Sequence, residues 1–173
     1  MAQTSIFSPA IAKNNKTRVD HIRWGNLSGS SLAVAMSHAA NQTDAPFVIL
    51  TQDTPSALRL TDELNAYAAS LHINVHYFPD WETLPYDTFS PHQDIISLRL
   101  ATLHLLQQGQ ADIYVISAST ALAYQAPQAF FSQYSLILKQ GQTINISAMR
   151  DRLSNAGYRA VDQVMEHGEH SLR

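Results

Sequence analysis

Three groups of residues have types and spacings that could do chemistry. The first is Gly25-Asn-Leu-Ser-Gly-Ser-Ser-Leu-Ala33, a small-residue loop ahead of an Ala-rich stretch. Such loops bind phosphate when glycines let backbone N–H groups cradle the anion, a lysine reaches the outer phosphates and a Ser or Thr hydroxyl holds magnesium. No lysine lies near this loop. The GxSxG spacing of a nucleophile elbow is also absent around Ser28, Ser30 and Ser31. The second group is Glu166-His167-Gly168-Glu169-His170, which offers zinc-ligand types. Its spacing is neither HExxH nor HxxEH, and Gly168 favours a turn or bend, so a polar surface strand is the plainer reading. In the third, His92 stands between Asp87 and Asp94, the makings of a general base with an orienting carboxylate. No nucleophile or oxyanion donor is placed to work with it. A loop-bracing hydrogen bond is expected instead, with Asp94 capping a helix that starts at Ile95. Asp62-Glu63 has the form of a magnesium-binding pair but falls inside a helical pattern between Leu60 and Leu64, and reads as a solvated face.

Residues 78–99, FPDWETLPYDTFSPHQDIISLR, are the most distinctive stretch. Generic linkers are rich in Gly and Ser and poor in aromatics, whereas Trp81, Tyr86 and Phe89 sit here among acids. Aromatics can stack nucleic-acid bases, but Asp80, Glu82 and Asp87 oppose phosphate. The expectation is that the three rings pin the loop over a sheet edge, with a protein contact as the next reading.

The elements that must position these groups follow from pattern. His21-Ile-Arg-Trp24 reads as a strand or extended entry and 32–40 as a helix. Phe47-Val-Ile-Leu50 is a short apolar run typical of a buried parallel strand. Thr54 offers an N-cap with Pro55 at the first helical position, and Ala57, Leu60, Leu64, Tyr67, Ala68 and Leu71 recur at helical spacing. Asn74-Val-His-Tyr77 predicts a strand. Residues 95–106 predict a helix apolar on more than one face, and so sandwiched. Asp112-Ile-Tyr-Val-Ile116 predicts a buried strand, and 119–124 a short helix. Alternating strands and helices imply a parallel sheet covered on both faces. A boundary is expected near Gln125-Ala-Pro127. Beyond it come a strand over 134–139, a turn at Gly141, a helix capped by Ser147 and ended by Gly157, and a strand over 158–164.

The fold expected is therefore α/β: a flexible N-terminal arm over 1–18, a parallel-sheet domain over 19–126, and a small, truncated α+β domain over 127–173. The 173 residues suffice for this. With 45% hydrophobic and 14% charged residues the chain is of globular type. It has no cysteine, which suits a reducing cytoplasm and excludes disulfides and thiolate metal sites. No apolar run reaches the ~18 residues of a membrane span, so no membrane partner is expected. The net charge is −3, and only Arg59 offsets the eight acids between Asp44 and Asp94. That stretch would repel DNA.

DWETLPYD, SPHQDIIS and GYRAVDQVMEHGE together resemble the N-terminal, UvrB-homology module of the bacterial transcription-repair coupling factors, the Mfd family. The resemblance covers roughly residues 20–173. It implies a helicase-like first domain whose phosphate loop has degenerated. Against the UvrB-type TGSGKT pattern, Ser28 and Gly29 keep the first two positions. Ser31 replaces the second glycine, Leu32 the lysine and Ala33 the hydroxyl residue. No catalytic residue and no bound cofactor are then expected here; ATP and magnesium belong to a C-terminal motor that the chain lacks. Five residues, 90–94, cannot form the DNA-separating hairpin of UvrB. The resemblance further implies a second domain that docks UvrA, with RNA polymerase and DNA engaged through absent parts. Arg173 is the first choice for the UvrA contact, with Arg159, Arg152 and Glu169 beside it. In the whole factor that surface is masked by a distant domain, and here it is expected to be exposed. An active helicase-like ATPase and a purely structural scaffold are the alternatives.

Overall fold

Alternation of buried and outward side chains makes Phe47–Thr51 (β1) a strand, and it pairs in parallel with Ile113–Ser117 (β3), from Phe47 opposite Ile113 to Thr51 opposite Ser117. Val75–Phe78 (β2) pairs in parallel along the other side of β3. The order is β1-β3-β2, so β3 is central and is the most completely buried strand. The computed structural model describes residues 5–11, 21–84, 86–127, 129, 138, 140–166 and 168–171.

Two helices, Ser31–Ala40 (α1) and Thr54–Ala68 (α2), build one side of the core. Ala57, Leu60, Leu64 and Ala68 form the buried stripe of α2 at the 3.6-residue period. They meet Ala33, Ala40, Ile49, Ile113 and Val115 in one cluster, with Phe47, Val75 and Tyr77 packed against it. The N-cap of α2 is Asp53, whose carboxylate accepts from Ser56 N at 2.8 Å, rather than Thr54. Thr54 itself is the first helical residue, and Pro55 the second. A 3₁₀ turn, Ala69–Leu71, extends the helix to His72 in the left-handed region.

The opposite face of the sheet is unevenly covered, against the expectation of cover on both faces. Gln93–Gln107 (α3) lies by β2, but only Arg99 and Thr102 are buried in it. Leu98 and Leu100 stay exposed, so α3 is not sandwiched. On β1, Val48 and Leu50 are 58% and 62% exposed. The short helix Ala118–Leu122 (α4) follows β3 directly and is capped by Ser117, whose hydroxyl accepts from Thr120 N.

Trp24 and its neighbours are irregular rather than a strand. Of the N-terminal arm, Phe7 meets the His38 ring edge-on and the Ala10 carbonyl accepts from Trp24 Nε1 at 2.9 Å.

The chain divides into two compact units, one ending at Gln125 and the other starting at Ala126. In the second, Ile146–Asn155 (α5) is capped by Asn145, whose side chain accepts from Ala148 N at 3.1 Å; Ser147 is already helical. Gly157 closes it at φ +90°. The strand expected over 158–164 shrinks to Arg159–Ala160 (β4), paired in parallel with Glu169–His170 (β5). Of the strand expected over 134–139, only Leu138 is among the described residues, and it is outside any element. None of the described helices is long and apolar enough to cross a membrane.

Candidate functional site

The small-residue loop folds as a tight turn into α1. Ser31 N and Ser31 Oγ both donate to Ser28 O, at 3.2 and 2.7 Å, and Gly29 has φ +53°. Helix α1 therefore begins at Ser31, which puts Leu32 and Ala33 in its first turn. Ala33 is fully buried in the core. Its side chain faces the packed interior, while Leu32 is half-buried and carries no charge. At positions 32 and 33 the loop offers a leucine and an alanine, neither of which brings the ammonium or the hydroxyl that a magnesium–nucleotide group takes from such a loop. Gly25, Ser28 and Gly29 precede the helix, and no strand leads into them among the described residues.

The 78–92 loop is fastened by Arg99. This arginine is 1% exposed, and its guanidinium lies 4.2 Å from the Phe78 ring centre and 4.0 Å from that of Trp81. Nη1 donates to Pro79 O and Nη2 to Gln125 Oε1 at 2.9 Å, while Nε is buried without a partner. Burial pushes the guanidinium below its ordinary pKa, and Asp80 pulls the other way. A buried cation held by two rings, a carbonyl and a side-chain amide, with no ion pair to a carboxylate among the described residues, is an anchor built on cation–π stacking. Sequence reading missed it, because a lone Arg in a helical pattern looks like a surface residue.

Beyond the anchor the loop departs from expectation. Trp81 is pinned, but Tyr86 and Phe89 are exposed, and so is Leu84. The reading in which all three rings pin the loop therefore holds for Trp81 alone. Asp87 clasps the turn: its carboxylate accepts from Leu84 N at 2.7 Å, and its own N–H donates to Leu84 O. Glu82 and Tyr86 have φ of 57° and 79°. Such conformations cost non-glycine residues about 1–3 kcal/mol each. At the loop's exit the cap expected of Asp94 falls to His92, whose Nδ1 accepts from Asp94 N at 3.3 Å at the start of α3. Asp62 is exposed and Glu63 pairs with Arg59 at 3.8 Å, as expected of a solvated helix face.

In the second unit, two of the four partner-binding candidates are brought together. Arg159 Nη2 bonds Glu169 Oε1 across the β4–β5 ladder. The other carboxylate oxygen accepts from Met165 N at 2.9 Å and Glu166 N at 3.2 Å. The amide of Met165, then the guanidinium, hold the Glu169 carboxyl down at about 2, and Glu169 raises Arg159 in return. Gly168, next to Glu169 in the chain, has φ +83°, a conformation glycine adopts without strain. Arg152 is on α5, exposed, on the wall of a 240 Å³ groove with Leu138, Ile144 and Met149. Arg173 and His167 lie outside the described residues. His170, expected on a polar surface strand, is buried with neither ring nitrogen paired.

No protein-family model matches the chain. Whole-sequence comparison does find relatives. The transcription-repair-coupling factor of Escherichia coli (strain K12) is 42% identical over 149 residues, which is 86% of this chain and 13% of that protein. The factor of Haemophilus influenzae is 41% identical over 171 residues, 99% of this chain and 14% of that protein. That of Bacillus subtilis (strain 168) is 26% identical over 147 residues. By sequence the chain is thus similar to one segment of the transcription-repair-coupling factors, spanning 13–14% of their length.

Proposed function

We propose that this chain is a non-catalytic, UvrB-like module that recruits UvrA to a stalled RNA polymerase in transcription-coupled nucleotide excision repair. The observation that carries the reading is the 41–42% identity to transcription-repair-coupling factors across nearly the whole chain. The docking surface is the second unit, with Arg173 as the leading contact and Arg152 on the exposed side of α5. Arg159 and Glu169 are already bonded to each other, so their part is to hold the β4–β5 ladder in shape.

The non-catalytic half of the proposal rests on the loop before α1. Leu32 supplies no charge for a phosphate, and Ala33 is committed to the core. ATP and magnesium act elsewhere in the longer factor, as do the contacts to polymerase and DNA. Melting curves with and without Mg-ATP test this half. No shift at millimolar nucleotide is expected, since a ligand at 100 times its Kd would add about 2.7 kcal/mol of stability. A saturable shift, or hydrolysis above background, would return the loop to service. The docking half is tested by titrating the chain against purified UvrA.

A further inference from the structure

We propose that the 80–89 loop is a second docking surface, and that its occupant is a cationic, apolar-rich protein segment. This surface belongs to the first unit, whereas the UvrA-docking surface proposed above belongs to the second.

The loop is held as a shaped object. Arg99 locks its start between Phe78 and Trp81, Asp87 clasps the turn at Leu84, and the His92 cap fixes its exit into α3. What this frame presents is Leu84, Tyr86 and Phe89, all exposed and all within six positions. Folding alone gains nothing from a tyrosine at Tyr86: the ring is fully exposed and the backbone sits at φ 79°, where glycine is cheaper. Glu82 repeats the pattern, an exposed acid at φ 57°. Strain at outward-facing residues on a braced frame points to recognition. Exposed aromatics on a rigid frame are the common anchors of protein interfaces.

Charge selects the occupant. Between Arg59 and Arg99 the chain has no Lys or Arg, and Asp80, Glu82, Asp87 and Asp94 flank Tyr86 and Phe89 along the chain. Nucleic-acid phosphates and anionic lipid headgroups are repelled from such a surface. A protein segment carrying Lys or Arg around large apolar side chains is attracted and fills the contact with the three exposed residues.

The test uses the full chain, isotopically labelled, and two short synthetic peptides with the same Leu/Phe pattern, one bearing Lys and the other Glu between the apolar positions. A single-stranded oligonucleotide and phosphatidylserine vesicles are run alongside. The Lys peptide is expected to bind saturably, to move the amide signals of 80–89, and to bind at least about tenfold tighter than the Glu peptide. Tyr86→Gly with Phe89→Ser is expected to cut that affinity by a further tenfold or so. This variant relieves strain and removes only exposed side chains, so it stays folded, with a melting temperature no lower than the parent's. Binding that the double variant leaves unchanged would be diffuse charge attraction and would overturn the proposal. So would absence of saturable Lys-peptide binding, or binding of the oligonucleotide or vesicles at these residues. UvrA binding by the second unit is unaffected by any of these outcomes.

Discussion

Arg99 illustrates how a single side chain can decide the shape of a long loop. A guanidinium removed from water needs compensation, and here two aromatic faces, a carbonyl and a side-chain amide supply it. Arg99→Ala leaves a cavity between Phe78 and Trp81 and frees the loop. The expected loss is about 3 kcal/mol in urea denaturation, with Trp81 fluorescence shifting toward that of an exposed indole. Arg99→Lys keeps the charge but not the planar stack, and should recover only part of the loss. A variant as stable as the parent would show that the stack is incidental. Glu169 makes a second prediction at this scale. Its folded pKa of about 2 lies below the ordinary 4.5, so its ionised form favours the folded state. That stabilisation is complete above pH 4.5 and is lost as pH falls from there toward 2. Compared with Glu169→Gln, the parent should lose stability over that window, read by circular dichroism against pH. Parallel pH profiles would contradict the assignment. Neither residue was legible as such in the sequence: the bonds of Glu169 come from a guanidinium ten positions away and from the backbone amides of Met165 and Glu166.

Strands and helices were legible where period and punctuation agreed. The stripe of α2, apart from the exposed Tyr67, and the positions of β1 and β3 fell where expected, although Val48 and Leu50 of β1 stay exposed, because burial writes itself into the residue order. Caps were not. Thr54, Asp94 and Ser147 were the expected caps of α2, α3 and α5, whereas Asp53, His92 and Asn145 do the capping. In each case the chain holds neighbouring polar residues, and only the backbone decides which one turns its side chain to the free N–H groups. Helix α3 failed differently: its many leucines implied a sandwich, yet Leu98 and Leu100 remain exposed and an arginine takes the buried position. The test at this scale is Asn145→Ala. Losing the bond to Ala148 N should cost α5 about 1 kcal/mol, visible as faster amide exchange across Ile146–Asn155. Unchanged exchange would mean that water or Ser147 replaces the cap.

The two units differ in how they are held. The first has a continuous apolar core running from Ala33 through Leu64 to Val115. In the second, among the described residues, the one buried side chain is His170, and the side-chain bonds include the Asn145 cap and the Arg159–Glu169 pair. The site candidates divide the same way: the loop before α1 could be read from side-chain chemistry, because Leu32 and Ala33 carry neither ammonium nor hydroxyl, while the docking residues rested on resemblance, and Arg173 lies outside the described residues. The central claim, a docking module without catalysis, is tested most directly by titrating the whole chain against purified UvrA, with Arg173→Ala and Leu32→Lys variants in parallel. Saturable binding is predicted, weakened about tenfold or more by Arg173→Ala and untouched by Leu32→Lys. A folded chain that does not bind UvrA, or that binds equally well without Arg173, would contradict the account.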